Sequence, residues 1–130
     1  MKILASEHSK VYRKFAKYLR KERVAIDKEN KTNTQYFVAE YEGNPIGVVG
    51  WCYLSEDHVR FKTAYVDQQF RGKKIYTDLW NARINAILSN EQVKYITAYC
   101  TDKSLPKFLK EGFKIQSVRN DIAYVKNKIK

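Results

Sequence analysis

The chain has 130 residues and a mass of 15.4 kDa, the size of one compact domain. Its apolar share of 44% supports a hydrophobic core, and its charged share of 30% is too low for an intrinsically disordered chain. No run approaches the roughly 20 apolar residues of a membrane span, and the N-terminus lacks the apolar segment of a secretory signal. The sequence therefore predicts a single soluble domain over residues 1–130, located in the cytoplasm.

The formal net charge of +11 is unevenly distributed along the chain. Residues 1–35 carry a net charge of +6 and residues 61–130 a net charge of +8, whereas residues 36–60 carry −3. A positive field of this size concentrates anionic partners, which include nucleic acid, a phosphorylated cofactor and an acidic acceptor. Charge alone does not choose among these partners.

The two cysteines, Cys52 and Cys100, are far apart and have no His or Cys near them at metal-ligand spacing. The sequence therefore predicts neither a metal site nor a disulfide, and both thiols are expected to be buried as small apolar groups. Cys100 ends a predicted strand, where it could also accept an acyl group. A core thiol is favoured, because no histidine nearby in the sequence would ionise it.

The chain is predicted to begin with a strand at Met1–Leu4, followed by a helix that Ser6 or Ser9 caps. That helix is amphipathic, because cations occupy one arc and apolar residues occupy the opposite one. The cations are Lys10, Arg13, Lys14, Lys17, Arg20 and Lys21, and the apolar residues are Val11, Phe15, Tyr18 and Leu19. The basic face is either an ordinary solvated face or a surface that contacts nucleic acid.

Three strands are predicted in the middle of the chain. Gln35–Tyr41 and Ile46–Leu54 form a hairpin around a turn at residues 42–45, and the second strand is apolar enough to be central. His58–Val66 alternates with a period of two, which indicates a third strand. This third strand contains no carboxylate that would serve as a general base.

The second half of the chain begins with the longest predicted helix, Gly72–Ser89, which has no proline and no internal glycine. A strand at Val93–Cys100 and a short helix at Ser104–Glu111 follow, and residues 113–118 and 122–125 form a final hairpin. The predicted order is β, α, β, β, β, α, β, α, β, β. This order indicates one domain of mixed α and β structure.

A second apolar stripe on the longest helix consists of Trp80, Ile84 and Ile87. These residues either lie under the sheet or form the contact of a homodimer. The sequence leaves both a monomer and a homodimer open.

The junction from Val66 to Tyr76 passes from a strand through a polar loop into the longest helix. The first N–H groups of a helix have no acceptor within the helix and lie at the positive end of its dipole. Arg71, Lys73 and Lys74 add three cations at the same place. This combination predicts a site for a phosphate or a pyrophosphate.

The same junction resembles the cofactor-binding segment of the GCN5-related N-acetyltransferases, the GNAT family, whose pattern reads Val-x-Pro-x-x-Arg-Gly-x-Gly-x-Gly. The residues at matching positions are Val66, Phe70, Arg71, Gly72, Lys73 and Ile75. Downstream, Thr101 to Phe113 is similar to the second signature of the family, Asn-x-x-Ala-x-x-x-Tyr-Glu-Lys-x-Gly-Phe. On these two motifs the chain is identified as a member of the family.

The resemblance implies an α/β (α+β) fold with a mixed, mostly antiparallel central sheet flanked by helices. The sheet would be splayed between the strand ending at Val66 and the strand ending at Cys100. Acetyl-CoA would be the acyl donor, with its pantetheine arm along Ala64–Val66 and its pyrophosphate on the N–H groups of residues 71–76. The implied cofactor-binding residues are Tyr65, Val66, Arg71, Gly72, Lys73, Lys74, Ile75, Tyr76, Thr101 and Phe108.

The family's reaction would proceed by direct attack of an acceptor amine on the thioester, with a backbone N–H near Val66 stabilising the oxyanion. Phe108 stands where many members have a tyrosine that protonates the leaving thiolate. Tyr99 is the predicted alternative donor, and Asp102 is predicted to relay a proton from the amine. Tyr99 is otherwise a packed aromatic residue with a hydrated hydroxyl. Because the strand His58–Val66 offers no carboxylate as a general base, the amine would lose its proton to water or be neutral already.

Two positions depart from the family pattern, because Lys74 and Tyr76 occupy places where the family prefers glycine or alanine. Small residues there let the backbone approach the phosphates closely. The ammonium group of Lys74 is predicted to compensate in part.

An N-acetyltransferase that modifies an amine is the leading interpretation, and the basic surface favours an acceptor that is acidic or associated with nucleic acid. One alternative is an acyltransferase of this fold that modifies a DNA base or a tRNA-linked amine. Another is a non-catalytic domain that binds nucleic acid through residues 10–21 and 71–74.

Overall fold

A seven-stranded sheet with three helices makes up the computed structural model, which describes residues 1–130. The strands are β1 (Lys2–Ser6), β2 (Gln35–Tyr41), β3 (Asn44–Tyr53), β4 (His58–Val66), β5 (Tyr95–Cys100), β6 (Lys114–Arg119) and β7 (Ile122–Lys128). The helices are α1 (His8–Lys21), α2 (Ile75–Leu88) and α3 (Leu105–Lys110). The strand order in the sheet is β1-β2-β3-β4-β5-β7-β6. Only β4 and β5 pair in parallel, which confirms a mixed and mostly antiparallel sheet.

The starts of two helices differ from the sequence-based prediction. Neither Ser6 nor Ser9 caps α1: Ser6 ends β1, Ser9 lies inside the helix, and Glu7 holds the N-cap position without a side-chain hydrogen bond. The second helix begins at Ile75 instead of Gly72, because Gly72 and Lys74 both have positive φ angles, of 81° and 64°. A chain in that conformation cannot continue the hydrogen-bond pattern of a right-handed helix.

Two apolar layers lie on opposite sides of the sheet. On one side, α2 and α3 cover an aromatic core that contains Trp51, Phe61, Trp80 and Phe108. On the other side, three residues of α1 pack against β2 and β3: Val11, Phe15 and Leu19. The apolar face predicted for α1 is therefore confirmed.

The second apolar stripe of α2 lies under the sheet. Trp80 and Ile87 are at most 1% exposed, and Ile84 packs against the same core. Of the two interpretations of this stripe, the structure supports packing within the chain.

The sheet opens between β4 and β5. Their pairing runs from His58 and Tyr95 to Phe61 and Ala98, and then stops. Strand β4 nevertheless continues to Val66, paired only with β3 on its other side. The predicted splay between the two strands is confirmed by this loss of pairing.

A β-bulge in β4 begins where the splay begins. Lys62 and Thr63 together lie opposite the single residue Gly50 of β3. An extra residue of this kind bends the strand and increases its twist. The bulge thus accounts for the divergence of β4 from β5.

No helix combines the length and apolar character that crossing a bilayer requires. Cys52 and Cys100 are both free and each is 1% exposed, as predicted. Burial raises the pKa of the Cys100 thiol to about 11, so this side chain is a poor nucleophile near neutral pH.

Candidate active site

The loop between β4 and α2 is fixed by the side chain of Arg71. Its Nε donates a hydrogen bond to the carbonyl of Val66 at 2.8 Å, and its Nη2 forms an ion pair with Glu22 at 2.8 Å. A short 3₁₀ helix at Gln68–Phe70 fills the space between these anchors. The Arg71 side chain therefore ties the loop to the end of β4 and to the segment after α1.

Six consecutive backbone N–H groups in this loop have no acceptor in the protein. The N–H of Arg71 donates to Gln68 and that of Asp78 donates to Lys74, and the groups of residues 72–77 between them have no backbone partner. No side chain caps the helix either. The predicted run of donors is thus shifted by one residue, because the N–H of Arg71 is already used. Such a run at a helix N-terminus is the arrangement that binds phosphate.

The two departures from the family pattern have different environments. Lys74 is exposed in the left-handed conformation, next to the free N–H groups, and Lys73 is exposed beside it with its ammonium 5.7 Å from the Phe70 ring. Tyr76 is partly buried, and its ring packs edge-to-face against Trp80, one turn further along α2, at 6.0 Å. The two large side chains thus extend in different directions.

The free edge of β4 borders the gap in the sheet. Val66 is buried, and Tyr65 is half-buried on the α1 side, stacked on Tyr18 at 5.6 Å. Arg71 lies 5.3 Å from the Tyr65 ring centroid. Because no strand pairs with residues 62–66 on the β5 side, this edge can accept an extended ligand as an added strand.

The predicted catalytic residues lie on the other side of the gap. Tyr99 follows Ala98, the last residue of β5 paired with β4, and is 60% exposed. Its ring contacts Arg60 at 5.0 Å and Tyr124 at 4.9 Å. Asp102 is exposed in the turn after β5.

Two further predicted residues follow β5. Thr101 lies directly before Asp102, with its hydroxyl 3.4 Å from that of Ser104. Phe108 is 6% exposed in the aromatic core, 4.9 Å from both Trp80 and Phe113. It supplies an apolar wall and no proton donor.

A buried arginine on α2 was missed by the sequence analysis. Arg83 is 1% exposed, and its Nη1 donates to the carbonyls of Gly50 at 3.1 Å and Thr63 at 3.4 Å. Its guanidinium lies 3.6 Å from the ring centroid of Phe61. Burial lowers the pKa of Arg83 to about 10, which leaves it charged at neutral pH. These contacts place a cation directly beneath the bulge of β4.

The sequence did contain a signal for this arginine. Leu79 precedes Arg83 by four residues and Ile87 follows it by four, so Arg83 lies within the apolar stripe of the helix. A cation at such a position is rarely left without a partner.

A hydrogen-bonded pair on the α1 side holds the bulge from the opposite face. The Nδ1 atom of His8 lies 2.8 Å from the Tyr36 hydroxyl, and its Nε2 lies 2.6 Å from the carbonyl of Asp27. Because the carbonyl can only accept, Nε2 donates to it. The Tyr36 ring lies against Gly50, where an added Cβ would come within 2.9 Å of it. Burial raises the pKa of Tyr36 to about 12, which keeps its phenol protonated.

No group of three or more His, Cys, Asp or Glu side chains is placed to hold a metal ion.

Comparison with known protein families decides the assignment. The model of the acetyltransferase (GNAT) domain matches residues 3–126, which is nearly the whole chain. The chain belongs to the GNAT acetyltransferase family. No curated protein matches the sequence significantly.

Solved GNAT structures share the fold. A GNAT acetyltransferase from Staphylococcus aureus Mu50 superposes with a TM-score of 0.76 at 18% identity, covering 99% of this chain and 100% of the other. An aminoglycoside 6'-N-acetyltransferase complexed with coenzyme A gives a TM-score of 0.77 at 13% identity, with 100% and 98% coverage. The Campylobacter jejuni N-acetyltransferase PseH in complex with acetyl coenzyme A gives 0.67 at 17% identity, with 99% and 100% coverage.

The role of Arg83 in holding the bulge of β4 can be tested by substitution. Replacing Arg83 with Met keeps most of the side-chain volume but removes the donors to Gly50 and Thr63. We expect the free energy of unfolding to fall by about 1–3 kcal/mol in urea denaturation. Arg83→Ala should cost more, because it also leaves a cavity. Arg119→Met, at an exposed position of β6, is the control, and an unchanged stability of Arg83→Met would contradict the role of these donors.

Proposed function

We propose that this GNAT protein transfers an acetyl group from acetyl-CoA to an amine by direct attack on the thioester. The observation that carries the proposal is the run of free N–H groups at residues 72–77, which lies at the end of the unpaired edge of β4. Related folds whose structures contain acetyl-CoA or coenzyme A support the choice of acyl donor.

The pyrophosphate would be held at the start of α2. The N–H groups of residues 72–76 supply directional donors, and the dipole of α2 adds partial positive charge. Lys73 and Lys74 supply full charges from exposed positions. Arg71 contributes by holding the loop, since its guanidinium is engaged by Val66 and Glu22.

The pantetheine arm would pair with Ala64–Val66, the part of β4 that faces the gap. Tyr65 and Val66 set the two faces of this edge, and Ile75 and Tyr76 form the adjoining start of the helix. Across the gap, Thr101 and Phe108 would line the β5 side. The thioester would then lie along this edge, where a backbone N–H near Val66 would stabilise the oxyanion.

The transfer forms a C–N bond to the amine and breaks the C–S bond of the thioester. The amine gives up a proton, for which Asp102 is the proposed relay to water. The thiolate gains a proton, for which Tyr99 is the proposed donor in place of the phenol that Phe108 lacks. Both residues follow the last paired position of β5, at the mouth of the gap.

The acceptor is proposed to be acidic or associated with nucleic acid, because the net charge of +11 disfavours a cationic molecule. The two reduced thiols fit the cytoplasm, where we place the protein. An acceptor amine on a DNA base or a tRNA would make the enzyme a nucleic-acid-modifying acyltransferase.

Binding of acetyl-CoA is the first test of this proposal. At 1 mM acetyl-CoA we expect the melting temperature to rise by about 3 °C or more. A ligand present at about one hundred times its Kd adds about 2.7 kcal/mol to the free energy of unfolding, and weaker binding adds less. Differential scanning fluorimetry measures the shift, with adenosine as the control that lacks a pyrophosphate. An unchanged melting temperature would remove the main support for the transferase.

Lys74 is expected to contribute to cofactor affinity through its ammonium group. Lys74→Ala should raise the Kd for acetyl-CoA about three- to tenfold in isothermal titration calorimetry, because an exposed charge–phosphate contact is lost. Lys74→Arg should retain most of the affinity. Lys110→Ala, which removes a charge from exposed α3, should bind like the parent. Equal affinity of Lys74→Ala and the parent would refute the compensation.

Tyr99→Phe tests the proposed proton donor. We expect kcat to fall about a hundredfold with little change in KM for acetyl-CoA, since general acid catalysis typically contributes this much. Thiol release from acetyl-CoA measures the rate. Tyr124→Phe removes the neighbouring hydroxyl as a matched control. A Tyr99→Phe enzyme with the parent kcat would exclude the phenol from proton transfer.

A further inference from the structure

One side of the sheet over β4 to β7 carries no helix. Helices α2 and α3 cover the opposite side, and α1 covers this side only over β2, β3 and the end of β4. We call the uncovered surface the open face. Its cations are Arg60, Lys62, Lys114, Arg119, Lys126 and Lys128. Its tyrosines are Tyr95, Tyr99 and Tyr124.

The alternation of the strands fixes these positions. In β5, Ile96, Ala98 and Cys100 belong to the core under α2, so the residues between them point to the open face. In β7, Ala123 and Val125 belong to the same core. The open face therefore follows from the register of the sheet.

No carboxylate lies on the strands of the open face. The four strands β4, β5, β6 and β7 contain neither Asp nor Glu. The structure has two ion pairs, Arg71 with Glu22 and Lys107 with Glu111, and neither involves an open-face cation. The nearest acidic residues in sequence flank these strands without lying on them: Asp57 and Asp67 flank β4, Asp102 follows β5, Glu111 precedes β6, and Asp121 lies in the turn between β6 and β7. A concentration of unpaired cations of this kind fits a polyanion.

Cations and aromatic rings are interleaved on this surface. The Lys126 ammonium lies 4.4 Å from the Tyr95 ring centroid, and Arg60 lies 5.0 Å from that of Tyr99. The Nε of Arg60 is buried with no acceptor in the protein. The Tyr95 ring also stacks on His58 at 4.4 Å, so it already has two partners, whereas the rings of Tyr99 and Tyr124 lie 4.9 Å apart and keep surface open to a ligand.

The combination of cations and aromatic rings distinguishes two kinds of polyanion, an acidic peptide and a nucleic acid. An acidic peptide would use the cations but would leave the open surfaces of the exposed Tyr99 ring and the half-exposed Tyr124 ring uncovered. A single-stranded nucleic acid would use both, because bases stack on aromatic side chains while phosphates contact Lys and Arg. A duplex would present its phosphates only, since its bases are already stacked.

We propose that the open face binds single-stranded nucleic acid, with bases stacked on Tyr99 and Tyr124 and phosphates contacting Arg60, Lys126 and Lys128. This binding goes beyond acetyl transfer and does not depend on it. Tyr99 lies on the same face at the mouth of the gap, so a bound strand passes the proposed site of transfer. The basic face of α1 is a separate surface.

Fluorescence anisotropy with labelled twelve-nucleotide strands tests the proposal. The probes are oligo(dT) and oligo(U), which distinguish DNA from RNA, together with a DNA duplex of equal length and a twelve-residue glutamate peptide as competitors. The protein variants are Tyr124→Ala, Tyr124→Phe and the double variant Lys126→Ala/Lys128→Ala. Lys110→Ala and Lys17→Ala remove charge from α3 and from the α1 basic face, respectively, as matched controls.

We expect Tyr124→Ala to weaken single-strand binding about fivefold or more and Tyr124→Phe to retain it, because the ring makes the stacking contact. The double lysine variant should reduce the magnitude of the log–log salt slope by about 1.4, the value for two phosphate contacts on a single strand. Lys110→Ala and Lys17→Ala should change affinity less than twofold, and the duplex should compete less well than the strand.

The proposal is overturned if Tyr124→Ala binds like the parent, if Lys17→Ala weakens binding as much as the double lysine variant, or if the glutamate peptide or the duplex competes as well as the strand. The rise in melting temperature with acetyl-CoA is measured on the same variants. If a variant loses strand binding but shows the same acetyl-CoA-dependent rise in melting temperature as the parent, the nucleic-acid site and the acetyl-CoA site are separate. A missing rise in the parent counts against acetyl transfer and leaves the binding result to stand alone.

Discussion

The bulge of β4 is the feature on which the site depends. Lys62 and Thr63 oppose one residue, Gly50, and pairing between β4 and β5 ends at the preceding residue of β4. Arg83 donates to the carbonyls of Gly50 and Thr63 from the α2 side, while the ring of Tyr36 packs on Gly50 from the α1 side. A strand distorted in this way is held by contacts from both layers. The gap in the sheet is therefore maintained by core contacts on both sides of the bulge and is not a local irregularity.

The candidate anion site at the start of α2 combines backbone conformation with charge. Positive φ angles at Gly72 and Lys74 turn the chain so that α2 starts only at Ile75, which leaves the preceding N–H groups free. A lysine in the left-handed conformation is strained, since its Cβ approaches the backbone. The family's preference for glycine at this position follows from the same geometry. In this chain Lys74 adopts the strained conformation and also places its ammonium group beside the free backbone N–H groups.

The distribution of charge links the gap to the surface around it. The α2 side of β4 and β5 is apolar and aromatic, whereas the open face carries cations without carboxylate partners. Burial and the nearby Arg60 lower the pKa of His58 at the edge of this face, and Lys126 acts in the same direction. His58 hence adds little charge near neutral pH, and the face owes its potential to lysine and arginine. One side of the sheet is thus apolar and covered by helices, and the other side is cationic.

The order of elements, the family and the ends of β2 and β4 could all be predicted from the sequence, because period-two alternation and turn residues are local signals. The sequence also identified the loop at Arg71 and the cations beside it. It did not determine that α2 starts at Ile75, since propensity does not encode the left-handed conformation of Lys74. The tertiary structure alone decided the burial of Arg83 and the open face. The acceptors of Arg83 lie on two other elements, and the open face is defined by which side the helices leave uncovered, so neither is contained in any one segment of the chain.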